Sequence, residues 1–234
     1  MEKMFGMSIG RFDDSKTATF FDGEFMYAFY RLSSGERIEI SRDHSYTLYI
    51  SQGTGTISNV EFSKETVINC LGKDLTLVAG NNGCSIFLVS ARIPADIANI
   101  DVSFIQEKID KCYRVNKPWG YEIWLSGKEA KTHAFKQIQI NAGYKTSLQY
   151  HIQKTETNLL RSGTARLYGE SEGEIEAVTI SKSFITVPPP TIHRIEALED
   201  IELLEASTPH LEDVVRIEDD SKRGNGRIES EHVQ

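Results

Sequence analysis

Apolar residues in this chain recur at every second position, seldom at every third or fourth, and they do so in one plan laid out twice. Glu36-Arg37-Ile38-Glu39-Ile40 and Phe135-Lys136-Gln137-Ile138-Gln139-Ile140 alternate polar with apolar side chains, as a half-buried strand requires. In the first half Ser34-Gly35 precedes such a run, and Tyr46 to Ser51 leads through Gln52-Gly53-Thr54-Gly55 into a further strand. In the second half Ala142-Gly143 precedes a like run, and Thr157 to Ser162 leads through Gly163 into Ala165-Arg166-Leu167. Asp74 to Ala79, a turn at Gly80-Asn81-Asn82-Gly83, and Cys84 to Ala91 extend the pattern. Many short strands at this spacing predict a mostly β protein built as sandwiches or barrels. The only helical stretch expected is near Pro94 to Ile100, followed by a turn around Gln106 to Lys111.

A chain of 234 residues accommodates two such units of ordinary domain size. The stretch from Pro94 to Asn116 lacks clean alternation and reads as a connector, which sets the boundary near residue 110: one unit over 1–110, the other over 111–234. The tail from Lys222 to Gln234 is poor in apolar residues and is expected to fray.

Charge narrows the partners. A net charge of −8 argues against nucleic acid and anionic membrane, and favours a small molecule. The beginning of the chain reads as neither signal peptide nor membrane anchor. Cys70, Cys84 and Cys112, odd in number and without metal-type spacing, read as small buried hydrophobes. A reducing cytoplasm fits them.

The chemistry gathers in the second half. Gly143 is followed by Gln149, His151, Glu156 and Gly163, and then by Pro188-Pro189-Pro190-Thr191-Ile192-His193. Gln149 and His151, two apart on a strand, face one way. Glu156 lies beyond a turn at Gln153-Lys154-Thr155 and can fold back onto that face, while the prolines feed His193 into a strand. Two imidazoles, a carboxylate and an amide oxygen converging inside a barrel suit a divalent metal. Zinc is the first expectation, with manganese, iron, cobalt or nickel as alternatives.

These residues resemble the two sequence motifs of the cupins, with Gln149 in place of the usual first histidine and Pro190 where glycine is usual. Ser147-Leu148-Gln149-Tyr150-His151, with Lys117-Pro118-Trp119-Gly120-Tyr121-Glu122 upstream and Asp213-Val214-Val215-Arg216-Ile217-Glu218-Asp219-Asp220 downstream, is similar to the type II mannose-6-phosphate isomerase branch over about residues 114 to 223. The resemblance implies two tandem cupin β-barrels of jelly-roll type. The first is degenerate, offering Arg42-Asp43-His44-Ser45-Tyr46 and Asn81-Asn82-Gly83-Cys84 where ligands would sit, and is expected to be structural and metal-free, with Tyr46, Leu48 and Ile50 filling its interior or an interface. After His151 the branch has His-His-Arg-x-Glu-His-Trp where this chain has Ile152-Gln153-Lys154-Thr155-Glu156-Thr157-Asn158. Ligation survives that change; substrate choice is open to alteration.

Four protein ligands on a six-coordinate ion leave two adjacent positions, enough for a sugar carbonyl and its neighbouring hydroxyl, and so for aldose-ketose isomerisation through an enediolate. The resemblance points the same way, to a sugar or sugar phosphate as ligand. Lys136, which shares a face with Ile138 and Ile140, and Glu205 are the candidate proton-transfer residues. Lys117, Arg194 and Arg216 are candidate substrate-binding cations for a phosphate. Trp119 and Trp124 read as packing, and His44, His133, His210 and His232 as surface or core residues. An iron-dependent cupin dioxygenase, a metal-independent nucleotide-sugar epimerase and a non-catalytic sugar-binding module are the rival readings. A homodimer is expected, with one barrel free for the contact.

Overall fold

The computed structural model describes residues 1–94, 102–128 and 131–232. Its strands, in chain order, are β1 (Glu2–Met4), β2 (Met7–Arg11), β3 (Ala18–Asp22), β4 (Met26–Leu32), β5 (Arg37–Ile40), β6 (His44–Ile57) and β7 (Val60–Ser63). They continue with β8 (Thr66–Leu71), β9 (Leu75–Arg92), β10 (Ser103–Lys108), β11 (Tyr113–Lys117), β12 (Gly120–Trp124), β13 (Ala134–Ile140) and β14 (Leu148–His151). The remainder are β15 (Glu156–Ser162), β16 (Thr164–Ser171), β17 (Glu174–Ser181), β18 (Ser183–Val187), β19 (His193–Ala197), β20 (Ile201–Ser207) and β21 (Val214–Glu218). The helix expected near Pro94 to Ile100 falls almost wholly outside the described residues. Gln106 to Lys108 end strand β10, and the turn is a single 3₁₀ turn at Ile109–Lys111. No helix among the described residues is long and apolar enough to cross a membrane.

Two compact units emerge, and they do not divide the chain where composition suggested. One comprises Asp13–Tyr113 and Leu125–Phe135; the other comprises Met1–Phe12, Arg114–Trp124 and Lys136–Gln234. The opening strands thus join the second-half unit, because β2 pairs with β18 over Ser8↔Thr186 to Arg11↔Ser183 and Phe12 donates its N–H to Lys182. Local alternation cannot show such an exchange, since a strand's sequence specifies a face and not a partner.

The first-half unit is one sheet ordered β10-β8-β6-β9-β4-β3, with β5 on β9 and β7 on β6. Leu48, Ile50 and Ile57 of β6 meet Ile68, Leu77, Ile86 and Leu88 in its core, with Tyr46 packed partly against them. The turns expected at 52–55 and 80–83 are instead bends inside two long paired strands, since Gly53 opposes Cys84 and Gly55 opposes Ala79. Gly53 has φ +81° and a Cβ there would lie 2.1 Å from the Gly83 carbonyl oxygen, so only glycine lets the two backbones cross this closely. The second-half unit makes the equivalent corner by breaking the strand at Gly163, between β15 and β16.

That second-half unit is a jelly roll of two facing open sheets rather than a closed ladder. One sheet is ordered β1-β2-β18-β15-β20-β13-β12-β11, the other β17-β16-β19-β14-β21. Their inner faces share a core: Ile138, Ile140, Leu160 and Leu203 from the first, Ala165, Leu167, Ile195 and Ala197 from the second. Following the inward positions along each strand, the side chains change from apolar to polar. Ile140 and Ile138 give way to Lys136, Leu160 to Asn158 and Glu156, Leu203 to Glu205, and Ala197 and Ile195 to His193, all of them buried. One end of the jelly roll is therefore hydrocarbon and the other is a buried polar chamber.

Candidate metal centre

His151, Glu156 and His193 meet in that chamber, their ligand atoms all within 4.8 Å of one another. The three arrive from different strands: His151 ends β14, Glu156 begins β15, and His193 begins β19 after a turn in which Thr191 N–H bonds to the Pro188 carbonyl. His193 Nε2 lies 3.2 Å from Glu156 Oε1 and His151 Nε2 lies 3.5 Å from Glu156 Oε2. Two ligands each about 2.1 Å from a shared ion are about 3.0 Å apart at a right angle and about 3.4 Å apart at the tetrahedral angle. The observed separations have that scale.

The opposite ring nitrogens make the case for a cation. His193 Nδ1 lies 3.0 Å from the Thr191 carbonyl oxygen, which can only accept, so Nδ1 carries a hydrogen. His151 Nδ1 is fixed in the same way, 2.8 Å from Asp213 Oδ1. A neutral imidazole so held turns a bare Nε2 lone pair toward a carboxylate, and both Nε2 atoms are buried without a hydrogen-bond partner among the described residues. With no metal bound, burial opposes a charge on His193, but Glu156 outweighs it and raises the pKa. Acceptors facing acceptors in a buried chamber call for a proton or a metal between them. The donor set, two imidazoles and a carboxylate with their outer nitrogens held, fits a divalent metal.

Gln149 stands directly opposite His193 in register, and paired residues across antiparallel strands share a face. Its Oε1 accepts from Ser147 Oγ at 2.6 Å, leaving a second lone pair.

A chain of buried charges runs from this cluster across the chamber. Lys154 Nζ lies 2.5 Å from Glu156 Oε2 and 2.9 Å from Glu205 Oε1. Glu205 Oε1 is 3.7 Å from Lys136 Nζ, which is 3.5 Å from Glu122 Oε2 and 4.7 Å above the Trp124 ring. Burial works to raise the Glu156 carboxyl, but the Lys154 ammonium, joined by N–H donation from His151 and His193 when protons rather than a metal occupy their Nε2 atoms, outweighs it and holds it well below the ordinary carboxylate range. Burial likewise opposes the charge on Lys154, and its two carboxylate partners more than restore it, raising its pKa. Glu122 is drawn down to about 2 against its burial by Lys136 and Lys117, with Trp124 donating from Nε1.

The structure thus gathers His151, Glu156 and His193 and sets Glu205 and Lys136 beside them through Lys154. It does not bring Arg194 there. On β19 Arg194 points to the face opposite His193, where Nε donates to the Thr146 carbonyl and Nη1 to Glu218 Oε1, each at 2.9 Å. Arg216 donates to the Gly224 and Gly226 carbonyls, and Lys117 pairs with Glu231 at 2.8 Å. Trp124, expected to pack only, is also a hydrogen-bond donor and the seat of the Lys136 ammonium. Lys154 and Asp213 were not assigned roles from sequence. The one signal for Lys154 was that it stands where the isomerase branch has arginine, the one basic position preserved in an otherwise altered run.

A jelly roll that gathers two imidazoles and a carboxylate at one end has the form of a metal-binding cupin domain. Residues 105–219 match the family described as mannose-6-phosphate isomerase C-terminal. Over 108 residues the chain is 32% identical to a Vibrio cholerae protein that carries the name mannose-1-phosphate guanylyltransferase; the match takes in 44% of this chain and 22% of that relative, so the chain spans about a fifth of the relative's length. Among solved structures, oxalate decarboxylase of Bacillus subtilis, a protein with Mn(II) centres, superposes with a TM-score of 0.66 at 13% identity over 93% of this chain and 80% of the other. Oxalate decarboxylase of Lactobacillus farciminis, in a formate complex, does so with a TM-score of 0.63 at 11% identity over 88% of each chain. The chain thus has a cupin-like fold, and its second half matches the mannose-6-phosphate isomerase C-terminal family over residues 105–219.

Proposed function

We propose that the second-half jelly roll is a metal-dependent sugar-phosphate isomerase that interconverts an aldose and a ketose of the mannose 6-phosphate class. The observation that carries this reading is the pair of buried Nε2 atoms that face Glu156 with no hydrogen-bond partner among the described residues, in a domain that matches the isomerase family over residues 105–219. His151, Glu156, His193 and Gln149 would hold the ion. When bound, a divalent metal polarises a sugar carbonyl with its neighbouring hydroxyl and acidifies the C–H beside it. Glu205, fixed between two ammonium groups, takes the proton from one carbon and returns it to the next, with the sugar passing through an enediolate. Lys136 supplies an N–H to the oxygen on which charge develops, and its seat on Trp124 fixes its direction.

The test is to load the purified protein with Zn²⁺, Mn²⁺ or Co²⁺ and follow conversion of mannose 6-phosphate to fructose 6-phosphate, with a chelated sample beside it. Metal-dependent turnover that the chelator abolishes supports the reading. Metal-loaded protein that turns over no hexose phosphate overturns it.

A further inference from the structure

The family match ends at residue 219, yet residues 220–232, poor in apolar side chains, make a set of polar contacts with the jelly roll. Asp219 binds Arg223 through Nη2 at 2.6 Å, Asn225 Oδ1 accepts the Arg216 N–H at 2.8 Å, and Gly226 N–H bonds to the Val214 carbonyl at 2.9 Å. A 3₁₀ turn at Glu229–Glu231 then delivers Glu231 between two cations, its Oε2 at 2.8 Å from Lys117 Nζ and its Oε1 at 3.4 Å from Arg223 Nη1. His232 follows, edge-on to Trp124 at 5.6 Å, the ring on which Lys136 rests.

We propose that Lys117, Arg223 and Arg216 form a site for a phosphate monoester at this end of the jelly roll, and that residues 227–232 are a displaceable strap whose Glu231 carboxylate fills that site when no ligand is bound. The charges support an exchange. Without Glu231, Lys117 keeps, among the described residues, only Glu122, at 3.7 Å and shared with Lys136 and the Trp124 N–H, while Arg223 keeps Asp219. Arg216 has a buried Nε with no acceptor among the described residues. One ammonium and two guanidinium forks suit a phosphate's several oxygens better than one carboxylate does. The strap is built to leave, because its contacts are ion pairs and the one ring edge of His232 on Trp124, and the apolar core of this unit draws none of its members from 227–232. A tethered carboxylate competes at an effective concentration in the millimolar range, which a ligand that also binds in the chamber can exceed. That the phosphate belongs to a sugar rests on the function proposed above; the anion exchange stands on the contacts alone.

The experiment is a calorimetric titration of the full chain with inorganic phosphate at low ionic strength, in chelator, for wild type, Glu231→Gln, and the double variant Lys117→Met/Glu231→Gln. Glu231→Gln should bind phosphate about tenfold more tightly than wild type or better, since the built-in competitor is gone, and the double variant should lose that gain. Equal affinity in wild type and Glu231→Gln, or a gain that persists without Lys117, overturns the proposal. Should Glu231→Gln fail to fold by circular dichroism, His232→Ala, which loosens the strap while leaving all three cations, is judged by the same criterion. Because neither metal nor turnover enters this titration, it can succeed where the isomerase assay fails, and fail where that assay succeeds.

Discussion

His151 Nδ1 lies 2.8 Å from Oδ1 of Asp213, and the other oxygen of Asp213 accepts the backbone N–H groups of Gln153 at 2.7 Å and Lys154 at 2.9 Å. One carboxylate therefore sets both the tautomer of a metal-ligand candidate and the path of the turn that returns Glu156 to it. In Asp213→Asn an amide N–H facing Nδ1 would push the imidazole hydrogen to Nε2, where it blocks ligation. Affinity for Mn²⁺ in a chelator-competition titration should drop about 10- to 100-fold, the usual scale for an orienting partner. Unchanged affinity would mean that Asp213 serves the turn alone.

His193→Ala removes one of the two imidazoles, and elemental analysis should then find far less than the single metal per chain expected of wild type. Gln149→Ala, which removes an amide oxygen already shared with Ser147, should lose less. Two metals per chain in wild type, or full retention in His193→Ala, would break the ligand assignment.

How much of this was open to a reader of the sequence depends on distance along the chain. The convergence of His151, Glu156 and His193 was legible because glycine corners and strand alternation fix which way each side chain faces, and those are local properties. The placement of Met1–Phe12 on β18 was not, because edge pairing depends on which surfaces meet and not on the strand's own pattern. Lys154 was hidden for a related reason: a lysine at a turn ordinarily reaches solvent, and only the meeting of Glu156 with Glu205 across β15 and β20 provides it a buried partner on each side. Arg194 was read as an available cation because a sequence shows charge and not its partner, and it is engaged by the Thr146 carbonyl and Glu218. The contacts of the tail were hidden by its composition, since they are ion pairs rather than apolar packing.

Lys154→Met leaves Glu156 and Glu205 buried without the ammonium between them. Breaking such a pair costs about 3–5 kcal/mol, so the melting temperature in chelator should fall by several degrees or more. Saturating Mn²⁺ should restore part of the loss, because the ion supplies the cation that Glu156 then lacks. A variant as stable as wild type, or one that metal leaves unmoved, would contradict this account of the cluster.

Lys136→Met keeps the aliphatic stem on Trp124 and removes the charge that Glu122 and Glu205 share. Metal content should stay at the wild-type level while kcat for the hexose phosphate falls about 10²-fold, the scale for a group acting in proton transfer. If KM alone rises, Lys136 binds the substrate's anion instead; if neither constant moves, its place in the chamber is structural.

The last prediction concerns the first-half unit and acid stability. His133 is buried, with Nε2 at 2.9 Å from Thr47 Oγ1 and Nδ1 at 3.2 Å from Ser45 Oγ, and no carboxylate among these partners stabilises an imidazolium. Burial accordingly pushes its pKa down from 6.5 to about 4. Between those values the unfolded chain takes up a proton that the folded chain refuses, so this residue's contribution to stability is complete above pH 6.5 and lost as the pH falls toward 4. The difference, at about 1.4 kcal/mol per unit, amounts to about 3 kcal/mol. Glu122, drawn down to about 2, acts in the same direction but only below its ordinary 4.5, which leaves pH 4.5–6.5 to separate the two. Urea midpoints measured across that window should decline for wild type and decline less for His133→Gln, even though the variant starts from lower stability at pH 8. Parallel declines in the two proteins would show that His133 takes up its proton in the folded state and that the hydroxyl groups around it rearrange to accept the charge.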